Sequence, residues 1–187
     1  MANPPKLATG RLFENRIVVW DVEASRRLFK DSYYGKPLGI PKPKDFLFDA
    51  PLVLDLMESY YLVKKKKLRV ESEEGELLAA KELEALCAAG YPNFREEYLV
   101  YSLLRDSGFV VGPGIKFGSD FAVYEHGPGI DHAPYLVQVE KDGARVTATA
   151  MVRSGRLATT VRKQFIIAVA NEESRKVDFL GFDWWRA

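Results

Sequence analysis

The sequence predicts a mixed α/β fold of the α+β type, in two modules that span residues 1–90 and 91–187. Of the 187 residues, 47% are hydrophobic, which is sufficient for a core in one domain or in two small domains. Short apolar runs bounded by turn formers favour strands near both ends, and the middle is rich in strong helix formers. We expect a small N-terminal α/β module, followed by a module in which a central mixed sheet is flanked by helices.

The first module begins with two predicted strands and a helix. Apolar residues flank the turn formers Glu14 and Asn15, so Arg11–Asp21 is predicted to form two strands around a turn. A short helix over Ala24–Lys30 follows. Residues 31–45 are predicted to be a loop, because three prolines and two glycines there exclude a continuous helix or a central strand.

The loop over residues 31–45 is basic. Lys36, Lys42 and Lys44 have no acidic residue between them and lie close in sequence to Tyr33 and Tyr34. Cations interleaved with aromatic rings suit a single-stranded or bulged nucleic acid, so Lys42 and Lys44 are predicted RNA contacts. An ordinary solvated loop is the alternative interpretation.

The rest of the first module is predicted to be a helix over Leu52–Tyr61, a strand over Leu68–Val70 and a helix over Glu76–Ala89. The last helix should end at Gly90, because glycine is a good C-terminal cap. Four consecutive lysines, Lys64–Lys67, are more typical of a solvated face than of a phosphate site.

The second module should begin with a helix that has Asn93 as its N-cap and stops at Gly108. Turn formers then separate three short apolar runs, which predict strands over Phe109–Val111, Asp120–Val123 and Tyr135–Glu140.

Beyond these strands, Lys141–Gly143 has the composition of a hairpin turn that leads into a strand over Ala144–Thr149. A helix is predicted over Met151–Arg162. A buried strand over Gln164–Ala170 and a final strand over Val177–Trp185 complete the second module.

The stretch Gly108–Val139 has the composition of a site rather than of a core. It holds three of the ten prolines and both histidines of the chain, between predicted strands. Tyr124, His126, Asp131 and His132 fall at strand ends or in loops, where a rigid scaffold usually presents chemical groups.

Composition excludes several classes of protein. The formal net charge of +1 means that the chain as a whole does not attract polyanions, so an RNA-binding surface needs local clusters of cations. A single cysteine, Cys87, excludes an intrachain disulfide, and one cysteine with two histidines does not give paired zinc-ligand spacings. No apolar run approaches the roughly 20 residues needed to span a bilayer. We therefore predict a cytoplasmic protein with no membrane contact, no metal and no cofactor.

Three separated blocks of the sequence resemble the catalytic subunit of the archaeal tRNA-splicing endonuclease, in its crenarchaeal heterotetrameric type. The first block is Lys116–Tyr124 (KFGSDFAVY), the second is His132–Val137 (HAPYLV), and the third combines Arg156–Ala158 with Val161–Lys163. The blocks occur in the order of that family and cover the C-terminal half of the chain.

The resemblance implies a triad of Tyr124, His132 and Lys163 that cuts precursor tRNA at the intron boundaries of a bulge-helix-bulge, without a metal. RNA supplies its own nucleophile, the 2'-hydroxyl, so the products carry a 2',3'-cyclic phosphate and a 5'-hydroxyl. Histidine suits the general acid, because its reference pKa is about 6.5. Tyrosine, with a reference pKa of about 10, is a base only where cations favour the phenolate, and otherwise orients the hydroxyl. His126 is the rival histidine and is interpreted as a loop residue.

The resemblance also implies a cation and a stacking surface that hold a bulged base. Arg156 matches the cation, and Trp184 or Trp185 supplies the stacking surface. Lys116, in the first block, is a further predicted RNA contact. The alternative for both tryptophans is a place in the core or at a subunit interface.

The resemblance extends to the assembly. Family members present an acidic loop to a neighbouring subunit, and Glu140 and Asp142 occupy the matching position. One chain of this length carries one active site, whereas a precursor tRNA is cut twice. The implied partners are therefore precursor tRNA and a second, structural subunit, in a heterotetramer of two catalytic and two structural chains.

Two other functions stay open. The chain could be the non-catalytic structural subunit of the same complex, although the complete triad argues against that. A metal-dependent nuclease would need clustered carboxylates, which Asp120, Asp131 and Glu140 could supply.

Overall fold

The structure is a computed structural model that describes residues 7–182. The chain divides into two units, of which the first ends at Phe94 and the second begins at Arg95. Each unit contains a mixed sheet and helices, so the predicted mixed α/β class is confirmed. Within residues 7–182, no helix combines the length and the apolar character needed to cross a lipid bilayer.

Among its described residues, the first unit has five strands and three helices. Its elements are β1 (Ala8–Phe13), β2 (Arg16–Val19), α1 (Val22–Ser32), β3 (Lys36–Pro37), β4 (Leu52–Asp55), α2 (Leu56–Lys64), β5 (Leu68–Glu71) and α3 (Ala80–Gly90). The strand order in the sheet is β3-β4-β2-β1-β5. Strands β1 and β5 are parallel, and the other neighbours are antiparallel.

Alternation along the strands gives the first sheet one buried face. Ile17 and Val19 in β2, and Leu52 and Leu54 in β4, are completely buried. Helices α1 and α2 pack against these strands, so this face forms the core of the unit. The predicted turn between the first two strands is confirmed, and Glu14 at that turn has a φ of 52°.

Two of the predicted helices begin later than expected. The residues Leu52–Asp55 form strand β4, because Leu52 and Leu54 alternate into the core beside β2. The carboxylate of Asp55 then accepts the backbone N–H of Glu58 at 2.8 Å and starts α2. Helix α3 begins at Ala80 rather than Glu76, because the N–H of Leu78 donates to the carbonyl of Val70 at 2.9 Å and continues the pairing with β5.

The predicted loop over residues 31–45 contains one short strand, β3. It is the outermost strand of the sheet, where proline is tolerated because the missing N–H would face solvent.

The second unit also has a five-stranded sheet. Its elements, starting with the helix at the unit boundary, are α4 (Phe94–Asp106), β6 (Val110–Pro113), a single 3-10 turn (Ile115–Phe117), β7 (Phe121–Tyr124), β8 (Tyr135–Lys141), α5 (Ala148–Thr160), β9 (Gln164–Asn171) and β10 (Lys176–Phe182). The strand order is β10-β9-β8-β7-β6. Strands β8 and β9 are parallel, and the other neighbours are antiparallel.

Helices cover both faces of the second sheet. On one face, Met151 of α5 packs against a buried cluster that includes Leu136 and Phe165. On the other face, the ring of Tyr101 in α4 lies against that of Phe121, with centroids 5.9 Å apart. The expectation of a mixed sheet flanked by helices is therefore confirmed.

The predicted hairpin after β8 is wrong. Gly143 has a φ of 76° and forms a turn, but the residues Ala144–Thr149 lead into helix α5 instead of a returning strand. The next strand, β9, lies parallel to β8, and parallel neighbours require a crossover connection. Helix α5 is that crossover. The turn signal is local, whereas the choice of strand partner depends on residues far away in the sequence.

Candidate active site

Strand ends place Tyr124, His132 and Lys163 at the same edge of the second sheet. Tyr124 is the last residue of β7, His132 lies three residues before β8, and Lys163 directly precedes β9. Strand β7 runs antiparallel to β8, and β8 runs parallel to β9 with Tyr135 opposite Gln164. The end of β7 and the starts of β8 and β9 therefore lie side by side.

The ammonium group of Lys163 holds the backbone beside His132. Its Nζ donates to the carbonyl oxygens of His132 and Ala133, the latter at 2.5 Å. Ala133 is buried and has a φ of 46°, so its backbone is bent into the left-handed region at this contact. The Nζ atom also lies 5.2 Å from the centroid of the Phe117 ring, a cation-π distance.

Asp131 organises the loop between Tyr124 and His132. Its carboxylate accepts the backbone N–H groups of Glu125 at 2.7 Å, His126 at 3.3 Å and Gly127 at 2.9 Å. The backbone N–H of Asp131 itself donates to the carbonyl of Gly127 at 3.1 Å. A single side chain thus holds three consecutive amides, which gives the loop a defined conformation.

The charge of the same carboxylate affects the pKa values of both Tyr124 and Lys163. Burial, with the charge of Asp131 adding, raises the pKa of the Tyr124 phenol above its ordinary value. Burial lowers the pKa of Lys163, and Asp131 opposes that effect. For Asp131 itself, burial acts to raise the pKa, but the amides of Gly127, Glu125 and His126 outweigh it and lower the pKa.

The two histidines are both exposed, but they differ in their surroundings. The carbonyl oxygen of His132 accepts the hydrogen bond from Lys163, and the residue lies between Asp131 and the buried Ala133. His126 belongs to the outer part of the loop and contributes its backbone N–H to Asp131. Close by, the hydroxyl of Tyr135 donates to Glu125 at 2.7 Å and links the loop to the first residue of β8.

The other predicted RNA contacts of the second unit are Lys116, Arg156, Trp184 and Trp185. Lys116 is exposed in the 3-10 turn and precedes Phe117, whose ring faces Lys163. Arg156 is exposed on α5. Trp184 and Trp185 lie outside the described residues. The roles of these four residues stay predictions.

Lys42 and Lys44 are exposed in the first unit, on the connection between β3 and β4. The connection is anchored by rings, since Phe46 and Phe48 pack against Phe29 with centroids 5.9 Å and 5.4 Å away. The two lysines are therefore displayed on an anchored loop, and their contact with RNA stays a prediction.

Glu140 and Asp142 differ in their surroundings. Glu140 is half-buried in β8, where burial and then the charge of Asp120 raise its pKa. Asp142 is exposed in the turn after β8, and its carboxylate accepts the Nδ2 group of Asn171 at 2.6 Å. Their part in assembly stays a prediction. The two residues do not lie at the tip of a hairpin, because the predicted hairpin after β8 does not form.

The carboxylates that a metal-dependent nuclease would use do not converge. Asp120 accepts the N–H of Val139 at 2.7 Å and lies near Glu140, whereas Asp131 is engaged with the loop amides. Among residues 7–182, no group of three or more His, Cys, Asp or Glu side chains is placed to hold a metal ion.

A further acidic residue near Asp120 was not singled out by sequence reasoning. Burial, with Asp120 and Glu96 adding, raises the pKa of Glu97 in α4 to about 7. Asp131 was considered as a carboxylate for a metal, and its role in the loop was also missed. A Gly-Pro-Gly segment followed two residues later by an aspartate is the sequence signal that indicates such a capping side chain.

Comparisons with known proteins match both units of the chain to one enzyme family. Residues 94–179 match the family described as the tRNA intron endonuclease, catalytic C-terminal domain, and residues 8–84 match the N-terminal domain of the same enzyme. A tRNA-splicing endonuclease of Hyperthermus butylicus is 47% identical over 169 residues, which cover 90% of this chain and 93% of that protein. Those of Pyrobaculum aerophilum and Sulfurisphaera tokodaii are 44% and 40% identical and cover 91% and 94% of this chain, and 94% and 97% of their own lengths.

The two matches together account for most of the chain, and the relatives align with it along almost their whole length. The chain therefore belongs to the tRNA intron endonuclease family.

Proposed function

We propose that this chain is the catalytic subunit of a tRNA-splicing endonuclease, which cuts precursor tRNA at its intron boundaries. One observation carries the proposal. Lys163 is bonded to the backbone of His132 at the sheet edge where β7 ends in Tyr124, so the three groups that RNA transesterification needs lie at one edge. The relatives that carry the name tRNA-splicing endonuclease supply the substrate class.

In the proposed reaction, the 2'-hydroxyl of the nucleotide before the cut loses its proton to a solvent water molecule and attacks the adjacent phosphorus. The bond from phosphorus to the leaving 5'-oxygen breaks, and His132 as an imidazolium donates its proton to that oxygen. The products carry a 2',3'-cyclic phosphate and a 5'-hydroxyl. Lys163 provides a positive charge for the pentacoordinate transition state.

Tyr124 is proposed to act as a neutral hydroxyl. Burial and the charge of Asp131 raise its pKa, so the phenol is protonated at neutral pH in the free enzyme. A neutral hydroxyl accepts a hydrogen bond from the 2'-hydroxyl and orients it toward phosphorus. A phenolate would form at neutral pH only if nearby cations lowered the pKa of Tyr124 by more than burial and the charge of Asp131 raise it.

The first prediction concerns the nucleophile. A precursor tRNA with 2'-deoxyribose at each cut site should bind like the all-ribose RNA and should not be cut, because the attacking group is absent. Binding and single-turnover cleavage are measured on the same two RNAs, with EDTA present throughout. Cleavage of the deoxy substrate, or activity that requires magnesium while the RNA stays folded, would contradict the proposal in favour of a carboxylate and metal mechanism.

The second prediction separates the histidines. His132→Ala should lower the single-turnover rate by roughly 10²- to 10⁴-fold, the usual range for a general acid, with little change in RNA binding. His126→Ala is the matched control, since it removes an exposed histidine from the same loop, and its effect should be small. A larger loss for His126→Ala would mean that the roles are assigned to the wrong residues.

The third prediction uses pH to define the role of Tyr124. Tyr124→Phe should slow cleavage by about 10-fold, and the ratio of wild-type to variant rate should be constant from about pH 6 to about pH 9. This follows because the raised pKa keeps the wild-type hydroxyl protonated over that range. If Tyr124 is a phenolate base, the ratio should instead grow about tenfold with each pH unit, because the ionised fraction does so.

We further propose that the enzyme assembles as two copies of this chain with two structural subunits, and that Asp142 contributes to the contact. Its side chain is exposed in the turn after β8, whereas Glu140 is half-buried near Asp120. Asp142 is therefore the cleaner position for a test, because a charge change at Glu140 would also alter the interior of this chain.

The fourth prediction is that Asp142→Lys lowers the native mass of the complex at physiological salt, when the chain is co-expressed with its partner. Glu73→Lys is the matched control, because it makes the same charge change at an exposed acid of the first unit. An unchanged mass for Asp142→Lys would remove this turn from the assembly. A wild-type complex of only one kind of chain would contradict the proposed composition.

A further inference from the structure

The face of the first sheet that points away from the core combines several cations with exposed aromatic rings. The buried face of the sheet carries Ile17, Val19, Leu52 and Leu54, so alternation turns the intervening residues outward. Register places the outward residues of the five neighbouring strands beside one another. We call this set the outer face, and its members are Thr9, Arg11, Phe13, Arg16, Val18, Lys36, Val53, Asp55, Arg69 and Glu71, with Trp20 just past the end of β2.

Cations outnumber anions on the outer face. Arg11 lies 3.8 Å from Glu71, and Arg69 donates from Nε to the hydroxyl of Thr9 at 2.7 Å. In the part of the chain that the structure describes, no side-chain hydrogen bond or ion pair involves Arg16 or Lys36. Among the described residues, Arg16, Lys36 and the two terminal nitrogens of Arg69 are thus available for an external anion.

The remaining carboxylates near the outer face are engaged elsewhere. Asp55 accepts the N–H of Glu58 at the start of α2, and Asp21 accepts the N–H of Ala24 at 2.9 Å at the start of α1. Their charges are directed to helix N-termini, where they are favourable. The carboxylates of Asp55 and Asp21 therefore neutralise less of the positive charge on the outer face than a simple count of charges suggests.

Aromatic rings lie among these cations. Trp20 is 56% exposed and Phe13 is 38% exposed, and their rings meet edge to face with centroids 6.2 Å apart. Trp20 and Arg11 also line a groove of about 280 Å³, together with Thr9, Gly10, Asp21 and Glu71. An open indole beside a guanidinium offers a stacking surface for a base next to a charge for its phosphate.

The most visible basic run in the sequence is arranged differently. Lys64 and Lys65 lie over the rings of Tyr60 and Tyr61, at 5.9 Å and 5.4 Å from the centroids. Lys67 forms an ion pair with Asp31 at 2.5 Å. These lysines interact with their own unit, whereas Arg16 and Lys36 on the outer face form no side-chain hydrogen bond or ion pair with the residues that the structure describes.

We propose that the outer face is a second RNA-binding surface, which holds a part of the precursor tRNA other than the cut sites and their flanking helices. Arg16, Lys36 and Arg69 contact phosphates, and Trp20 stacks on an unpaired base. The proposal rests on the proposed function, which supplies the RNA. A nucleic acid fits better than a protein, because the excess of positive charge is complementary to a phosphate backbone.

The first test reverses the charge in the assembled enzyme. Arg16→Glu with Arg69→Glu should raise the Kd for a full precursor tRNA, made uncleavable by 2'-deoxy cut sites, by about 10-fold or more at about 150 mM salt. The slope of log Kd against log salt should fall by about two. Lys30→Glu with Lys81→Glu is the matched control, since it makes the same charge change at exposed lysines of α1 and α3, and it should have little effect on the Kd.

A short RNA that contains only the cut sites and their flanking helices separates the two proposals. The charge-reversed enzyme should cut this RNA at the wild-type rate, which also shows that it is folded. If the wild-type enzyme cuts neither RNA, the proposed function fails, while the binding comparison still decides the outer face. Equal Kd values for the two charge-reversed pairs would overturn the proposal. A lower native mass of the complex would also overturn it, by making this face a protein contact.

The second test addresses stacking. Trp20→Ala should weaken binding of the full precursor by about 5- to 100-fold, the range for loss of one stacked base, and Trp20→Phe should restore most of the affinity. If RNA binding needs only an apolar side chain at this position, Trp20→Leu should restore the affinity as well as Trp20→Phe does. Equal affinities of the Leu and Phe variants would therefore exclude stacking at Trp20.

Discussion

The parallel pairing of β8 with β9 is the constraint on which the candidate site depends. Helix α5 carries the chain back across the sheet, so that both strands start at the same edge with Tyr135 opposite Gln164. Lys163 directly precedes β9, and the backbone of His132 lies three residues before β8. An antiparallel arrangement would place the start of one strand beside the end of the other and would separate the two residues. The crossover therefore creates the contact between the ammonium group and the carbonyls.

The sequence predicts the individual strands of the second sheet better than it predicts the crossover between β8 and β9. Short apolar runs with turn formers on both sides predict β6, β7 and β8, and the run Gln164–Ala170 predicts β9. The error lies after β8, where Lys141–Gly143 signals a turn whose continuation depends on distant residues. The resemblance to a family identified Tyr124, His132 and Lys163, which composition and spacing alone would not have joined. Their contacts depend on strand register, which no local pattern contains.

Asp131 illustrates a different limit. An isolated aspartate in a loop has many interpretations from sequence, and its effect follows only from three amides that point at its carboxylate. Those amides lower the pKa of Asp131, and its charge adds to burial in raising the pKa of Tyr124. The same group thus shapes the loop and adds to the burial that favours the neutral form of the phenol. This dual effect favours a neutral hydroxyl as the starting state of the reaction.

Cations in this chain are held in two ways, and the difference follows from their tasks. Lys163 is bonded to two carbonyls and lies near a ring, so its charge is placed before substrate arrives and little side-chain entropy remains to be lost. Such placement suits a transition state, in which charge develops at one position. Arg16 and Lys36 have no comparable restraint among the described residues. Loosely held cations tolerate variation in the position of a phosphate, which suits recognition of an RNA whose sequence differs from one substrate to the next. The contrast between a cation fixed by hydrogen bonds and cations without such bonds among the described residues is therefore a physical reason to assign the two surfaces to different steps.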